Sequence, residues 1–252
     1  MLSNYGKREW MTILVAGLSL AILLLTVGKW FTAILVTAAT AMGLAFFRDP
    51  KRVIPTQRGT MVSPADGTIS SIHRIDHFEP FGGPATCVRI FLSVLNVHVN
   101  RSPCHGLVQS VTHKSGQHLN ALNPASAEVN ESNLIVLHHP TGLHPIAAVR
   151  QVAGLIARTI VSGVTEGQIV QRGQRIGMIK FGSTTELYLP DTLRPEVSVE
   201  QGQKVLAGST RLAMVMAVGI SDPQQSANTK DGSSSVVGTP SEEALNFSPA
   251  SS

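Results

Sequence analysis

The segment Gly177-Met-Ile-Lys-Phe-Gly-Ser-Thr-Thr-Glu186 places a glycine directly before a serine at the end of an apolar stretch. A serine in that position can attack its own backbone. Once deprotonated, the Ser183 hydroxyl oxygen adds to the Gly182 carbonyl, and the amide becomes an ester through a tetrahedral intermediate that needs oxyanion donors. Glycine before the bond leaves the carbonyl unshielded and accepts unusual dihedrals. Elimination across Ser183 then breaks the chain and leaves dehydroalanine. Hydrolysis with loss of ammonia converts this to an N-terminal pyruvoyl group. A Gly-Ser pair alone is ordinarily a turn, so the surrounding residues must carry the argument.

That chemistry needs a base. Asp66, in Ser63-Pro-Ala-Asp-Gly67, also suits a turn, since Asp before Gly is a common turn pair. His98 lies in Leu95-Asn-Val-His-Val-Asn100, where Val97 and Val99 alternate with Asn96, His98 and Asn100. On a strand this puts the three polar side chains on one face. An Asp-His-Ser relay would orient the imidazole and let it take the hydroxyl proton. His105 is the substitute base. His138, His139 and His144 have no carboxylate or thiolate at metal-ligand spacing, so they read as surface or loop residues and no metal is expected. The two cysteines, Cys87 and Cys104, make no disulfide framework and suit a reducing compartment, with Cys104 a buried, inert thiol.

Two apolar runs precede these residues. Trp10 to Gly28 carries no charge, Lys29 interrupts, and Trp30 to Phe47 is again uncharged. At about 1.5 Å per helical residue each run can cross a core of about 30 Å, the second only just. Lys7 and Arg8 flank the front, and Arg48, Lys51 and Arg52 flank the back, which fits a helical hairpin with both ends in the cytoplasm and its turn near Lys29 and Trp30. A secretory signal peptide, one long span, or a hairpin that dips in without crossing are alternative readings of the same runs. The net charge of +4 is scattered, with no nucleic-acid-binding signature, but it suits an anionic membrane surface.

From about Met61 short Val, Ile and Leu runs alternate with Gly, Pro, Asn and Asp, which predicts strands and turns. A short helix is expected near Val149 to Val161. Gly167-Gln-Ile-Val-Gln-Arg-Gly173 resembles Gly202-Gln-Lys-Val-Leu-Ala-Gly208, and each leads into an apolar strand. Glycines at fixed offsets imply one tight turn used twice, as in the paired halves of a biotinyl/lipoyl-type barrel sandwich. The expected fold is α+β: a membrane anchor over 1–52, a mostly antiparallel β domain over 53–220, and a disordered polar tail over 221–252.

Five pieces in order, Ser63-Pro-Ala-Asp-Gly67, Asn96-Val-His98, Asn130-Glu-Ser-Asn133, Gln151-Val-Ala-Gly-Leu-Ile-Ala-Arg158 and Gly177-Met-Ile-Lys-Phe-Gly-Ser183, resemble the phosphatidylserine decarboxylase family over roughly Arg48 to Val215. The match is to its short form, which includes archaetidylserine decarboxylases. The resemblance implies cleavage between Gly182 and Ser183, a β chain of residues 1–182, an α chain that begins with a pyruvoyl group made from Ser183, and a homodimer of these heterodimers. It implies acid-base roles for Asp66 and His98. Ser132 stands where Arg is common, and Arg101 stands where longer relatives carry a second histidine, so His98 is expected to serve both cleavage and decarboxylation.

The implied reaction is decarboxylation of phosphatidylserine to phosphatidylethanolamine at the membrane, with the catalytic domain on the cytoplasmic face of the cell membrane. The pyruvoyl carbonyl would take up the headgroup amine and serve as electron sink. An anchor keeps such an enzyme where its lipid substrate is concentrated. Arg48, Lys51 and Arg52 would face anionic lipid, and Phe78 and Phe81 would form a loop touching it. The main rival is a membrane-anchored lipoyl-like adaptor without catalysis, although no heptad run is present for the helical hairpin such adaptors insert. A biotin or lipoate carrier needs a lysine at a hairpin tip, whereas Lys180 lies in an apolar strand. A pyruvoyl enzyme acting on a soluble amine leaves the apolar runs unexplained.

Overall fold

The computed structural model describes residues 1–117, 129–141, 144–154, 159–180 and 183–215. All lie in one compact unit, Met1–Ile220. Gly182, residues 155–158 of the fourth motif and the polar tail expected over 221–252 lie outside the described residues.

The chain opens with two helices, α1 (Lys7–Thr26) and α2 (Trp30–Phe46). A run rich in Leu, Ile, Ala and Val favours the first. It ends where Gly28 takes φ +73°. Gly28 N–H then bonds the Leu25 carbonyl and Lys29 N–H the Leu24 carbonyl, a Schellman stop. The helices pack antiparallel: a Cβ on Gly17 would meet Thr40 Oγ1 at 2.1 Å, and Gly43 faces Ile13. Asn4–Thr26 contains an 18-residue window of mean hydropathy 1.9 and is long and apolar enough to cross a membrane; α2 is shorter. Ile22, Leu23, Leu25, Phe31 and Ile34 are each more than half exposed.

The rest is mostly antiparallel β. Its first half comprises β1 (Thr60–Val62), β2 (Gly67–Phe78), β3 (Gly83–Leu92), β4 (Val99–Arg101), β5 (Gly106–Lys114), β6 (Ser132–His138) and β7 (Pro145–Val152). Then follow β8 (Thr159–Ser162), β9 (Ile169–Val170), β10 (Arg175–Lys180), β11 (Ser183–Pro190), β12 (Glu196–Val197), β13 (Lys204–Val205) and β14 (Arg211–Met214). Eight strands form one sheet in the order β13-β2-β3-β11-β7-β6-β5-β9; two three-stranded sheets run β1-β14-β12 and β4-β10-β8. The core lies among Ile69, Ile90, Leu92, Ile135, Leu137, Ile176, Leu187 and their neighbours.

The repeated turns expected from the sequence are present. Gly167 and Gly202 have φ +81° and +88°, and Gly173 and Gly208 have φ +74° and +75°. The repeat is wider than the glycines alone suggest. Ser63-Pro-Ala-Asp-Gly67 and Ser102-Pro-Cys-His-Gly106 form matching turns, with Ser63 Oγ donating to the Ala65 carbonyl and Ser102 Oγ to the Cys104 carbonyl, both at 2.7 Å. Gly208 N–H bonds the Ser63 carbonyl as Gly173 N–H bonds the Ser102 carbonyl. Strand β13 pairs with the start of β2 as β9 pairs with the start of β5. The β1–β14 and β4–β10 pairs carry a register shift at matching places. Asp66 and His105 are therefore equivalent positions in two copies of one unit.

The helix expected near Val149 to Val161 is not found among the described residues. Val149–Val152 complete β7, and Thr159–Val161 belong to β8. Strand β7 is central in its sheet and buried on both faces at Ile146 to Val149. A doubly buried strand loses the alternation that separates it from a short apolar helix.

Candidate functional site

Ser183 is the first residue of β11, a strand of Thr, Leu and Tyr that suits a pleated, buried surface. It is paired on both sides, Ser183 opposite Leu92 of β3 and Thr184 opposite Val152 of β7. The Ser183 side chain is fully buried, and its Oγ has no hydrogen-bond partner among the described residues. Leaving a buried hydroxyl unpaired costs about 1–3 kcal/mol, so such a group calls for an explanation.

A line of buried amides fixes the strands around it. Asn133 Nδ2 donates to Gln151 Oε1 at 2.9 Å, and Gln151 Nε2 donates to Asn100 Oδ1 at 2.9 Å. Asn100 Nδ2 in turn donates to Thr185 Oγ1 at 3.0 Å and to the Pro64 carbonyl at 3.3 Å. Thr185, Asn100 and Pro64 each stand two positions from Ser183, His98 and Asp66 respectively. The relay thus ties together the three segments that carry the expected site residues. Asn100 was visible in the sequence as part of the polar strand face; the part played by Gln151 and Thr185 was not.

His98 is fully buried. Its Nδ1 lies 2.9 Å from the Asn96 carbonyl. A carbonyl only accepts, so Nδ1 carries the proton and Nε2 holds the lone pair. The ring packs against Phe46 at the end of α2, centroids 4.3 Å apart. Burial pushes the His98 pKa down to about 4; Arg48 lowers it further and the Asn96 bond opposes. The imidazole is therefore neutral near pH 7.

Asp66 is held differently from the relay expected. Arg52 Nη2 donates to its two carboxylate oxygens at 2.9 and 2.7 Å, and Ala207 N–H donates to Oδ1 at 2.7 Å. Both side chains of the ion pair are buried, with 8% and 6% exposure. This corrects the expectation that Arg52 faces lipid, because a carboxylate buried at Asp66 needs a cation beside it. Arg101 is also structural: it donates to Asp49 Oδ1 at 2.6 Å and to the Gly173 carbonyl at 2.9 Å. Asp49 further pairs with Arg175. A cavity of about 690 Å³ opens beside these groups, lined by Tyr5, Asp49, Lys51, Arg52, Arg101 and Arg175 among others.

The other candidates fall elsewhere. His105 is buried, its Nδ1 without a partner among the described residues, in the second copy of the repeat. His139 meets Thr141 at 2.8 Å. Phe78 stacks on Tyr188 at 4.2 Å and meets Phe81 edge-on, so both rings turn onto the sheet. Cys87 and Cys104 are buried thiols, and burial raises the Cys87 pKa. Lys180 is buried and donates to Glu9 Oε1 at 2.6 Å.

Comparison with known proteins adds an independent line. The family model described as phosphatidylserine decarboxylase matches residues 40–213. A protein of Oleidesulfovibrio alaskensis named phosphatidylserine decarboxylase proenzyme is 43% identical over 185 residues, covering 73% of this chain and 82% of its own length. Proteins of the same name from Azorhizobium caulinodans and Streptomyces griseus are 42% and 43% identical, each over 82% of this chain and over 87% and 91% of their own lengths.

Proposed function

This chain belongs to the phosphatidylserine decarboxylase family, and from that premise we propose that it cuts itself between Gly182 and Ser183 to make its own pyruvoyl group. It is an enzyme of this kind, one that decarboxylates phosphatidylserine. The observation that carries the self-cleavage reading is Ser183 Oγ, a buried hydroxyl at the head of a central strand with no partner among the described residues. That hydroxyl fits the precursor of a pyruvoyl group at position 183, its oxygen leaving with Gly182 on elimination.

In the proposed cleavage, His98 Nε2 accepts the Ser183 proton as the oxygen adds to the Gly182 carbonyl. The bond from Nδ1 to the Asn96 carbonyl fixes the ring and its tautomer. Asp66, compensated by Arg52, acts through the field at the site and through the turn it holds at Ala207. Arg101, at the position where longer relatives carry a second histidine, is committed to Asp49, and in this reading His98 serves both cleavage and decarboxylation. When formed, the pyruvoyl group supplies a carbonyl that takes up the substrate amine and draws electrons from the bond to the carboxylate.

The anionic headgroup enters, in this reading, through the cavity beside the hairpin. Lys51, Arg52 and Arg175 line it, and the buried Arg52 Nε has an unused donor. The exposed apolar residues of α1 and α2 support a membrane location, and the flanking Arg48 and Lys51 support a catalytic domain on the cytoplasmic face. The mature enzyme is a complex of β and α chains, homodimerised. The paired Ser-Pro-x-x-Gly units support kinship with barrel sandwiches of the biotinyl/lipoyl kind.

The test is Ser183→Ala. It should leave a single uncut chain that releases no carbon dioxide from carboxyl-labelled phosphatidylserine, while wild type gives two chains and releases it. Decarboxylation by an uncut Ser183→Ala chain would refute the proposal.

A further inference from the structure

Residues at the base of the helical hairpin touch the processing segment. Glu9, in the first turn of α1, accepts from Lys180 Nζ at 2.6 Å; the Lys180 side chain is 11% exposed. Lys180 ends β10, and only two residues separate it from Ser183. Met178, two positions earlier and on the same strand face, packs with Phe46 and Phe47 of the hairpin base and with Leu2, Tyr5, Trp10 and Ile13. The approach is close: a Cβ on Gly6 would meet Phe47 Cδ1 at 2.2 Å, and one on Gly163 would meet the Tyr5 hydroxyl at 2.2 Å. Phe46 lies at 4.3 Å against His98.

We propose that the N-terminal hairpin is a working part of the self-processing site, with Glu9 and Phe46 as positioning residues, and not solely a tether to the bilayer. This rests on the reading that Ser183 is cleaved with His98 as base. Serine attack on the preceding carbonyl requires the ends of β10 and β11 to keep one relative geometry. The β11 end is fixed by the ladder that pairs Ser183 with Leu92. The β10 end is Lys180, which the Glu9 carboxylate holds from outside the sheet. Phe46 keeps water from the His98 ring and limits its rotation about the Asn96 bond.

The tether and positioning roles differ in a measurable way. Serine attack on its own preceding carbonyl consumes no lipid, so a tether alone leaves it untouched when the hairpin base is altered in detergent.

The experiment follows the rate at which full-length, detergent-solubilised chain separates into two bands. Glu9→Lys should slow cleavage about tenfold or more, which corresponds to about 1.4 kcal/mol in the barrier. The charge swap Glu9→Lys with Lys180→Glu should restore most of the rate, which a general loss of folding would not allow. Phe46→Ala should slow cleavage and move its acid limb upward, because a solvated imidazole titrates nearer 6.5. Arg48 is the charged group acting on that ring and is unchanged in the variant. Phe46→Leu, still apolar, should keep the limb closer to wild type. Wild-type rates in both Glu9→Lys and Phe46→Ala would overturn the proposal, as would a charge swap as slow as Glu9→Lys. A wild-type chain that never separates would instead remove the self-cleavage reading beneath it.

Discussion

Lowering the pH from about 7 to about 5 should cost the uncut protein about 2 kcal/mol through His98 alone. An unfolded imidazole takes up its proton near 6.5, whereas the buried ring resists until about 4. Between those values the unfolded chain binds more protons, so stability is lost as the pH falls. At about 1.4 kcal/mol per pH unit the whole interval is worth about 3 kcal/mol, and most of it is spent by pH 5. The cause is burial beneath Phe46, with Arg48 adding to it and the Asn96 carbonyl working against it. The assay is denaturant unfolding of Ser183→Ala, which stays in one piece, beside Ser183→Ala with His98→Asn, at a series of pH values. The second protein lacks the titrating group, so the gap between the curves should narrow by about 2 kcal/mol from pH 7 to 5. Parallel curves would refute the reasoning. The same ring predicts that wild-type cleavage persists well below pH 6.5 and fails only as the pH nears 4, since the base must be neutral to act.

Two further outcomes follow from buried pairs. Arg52→Met in the Ser183→Ala background should destabilise by about 3–5 kcal/mol, because Asp66 is left buried with the Ala207 N–H as its remaining partner; a loss below about 1 kcal/mol, as for a surface pair, would contradict this. Gln151→Leu should strand Asn133 Nδ2 and Asn100 Oδ1, costing about 2 kcal/mol or more and slowing cleavage, as followed by unfolding and by gel.

The chemistry-bearing residues were legible because each sits in a short local pattern. Ser183 follows a glycine, His98 lies on an alternating polar strand face, and Asp66 precedes a turn glycine. The repeated turns were legible for the same reason, since glycine alone accepts φ near +80° without strain. The first half of each repeat was missed because Ser63-Pro-Ala-Asp-Gly67 and Ser102-Pro-Cys-His-Gly106 share only Ser, Pro and Gly. Long-range partners left no local trace. Arg52 reads as one of a basic cluster until the fold brings Asp66 beneath it, and Glu9 carries no signal in the sequence until Lys180 is placed beside it. The misassigned helix near Val149 is a limit of periodicity, which vanishes when both faces of a strand are buried.

The central claim is tested most directly by the intact mass of the smaller polypeptide from purified active enzyme. A fragment spanning 183–252 with a blocked N-terminus, about 17 Da lighter than its encoded sequence through loss of ammonia, is the predicted result. Active enzyme that yields only the full-length mass, or a 183–252 fragment with an ordinary serine amino terminus, would contradict it.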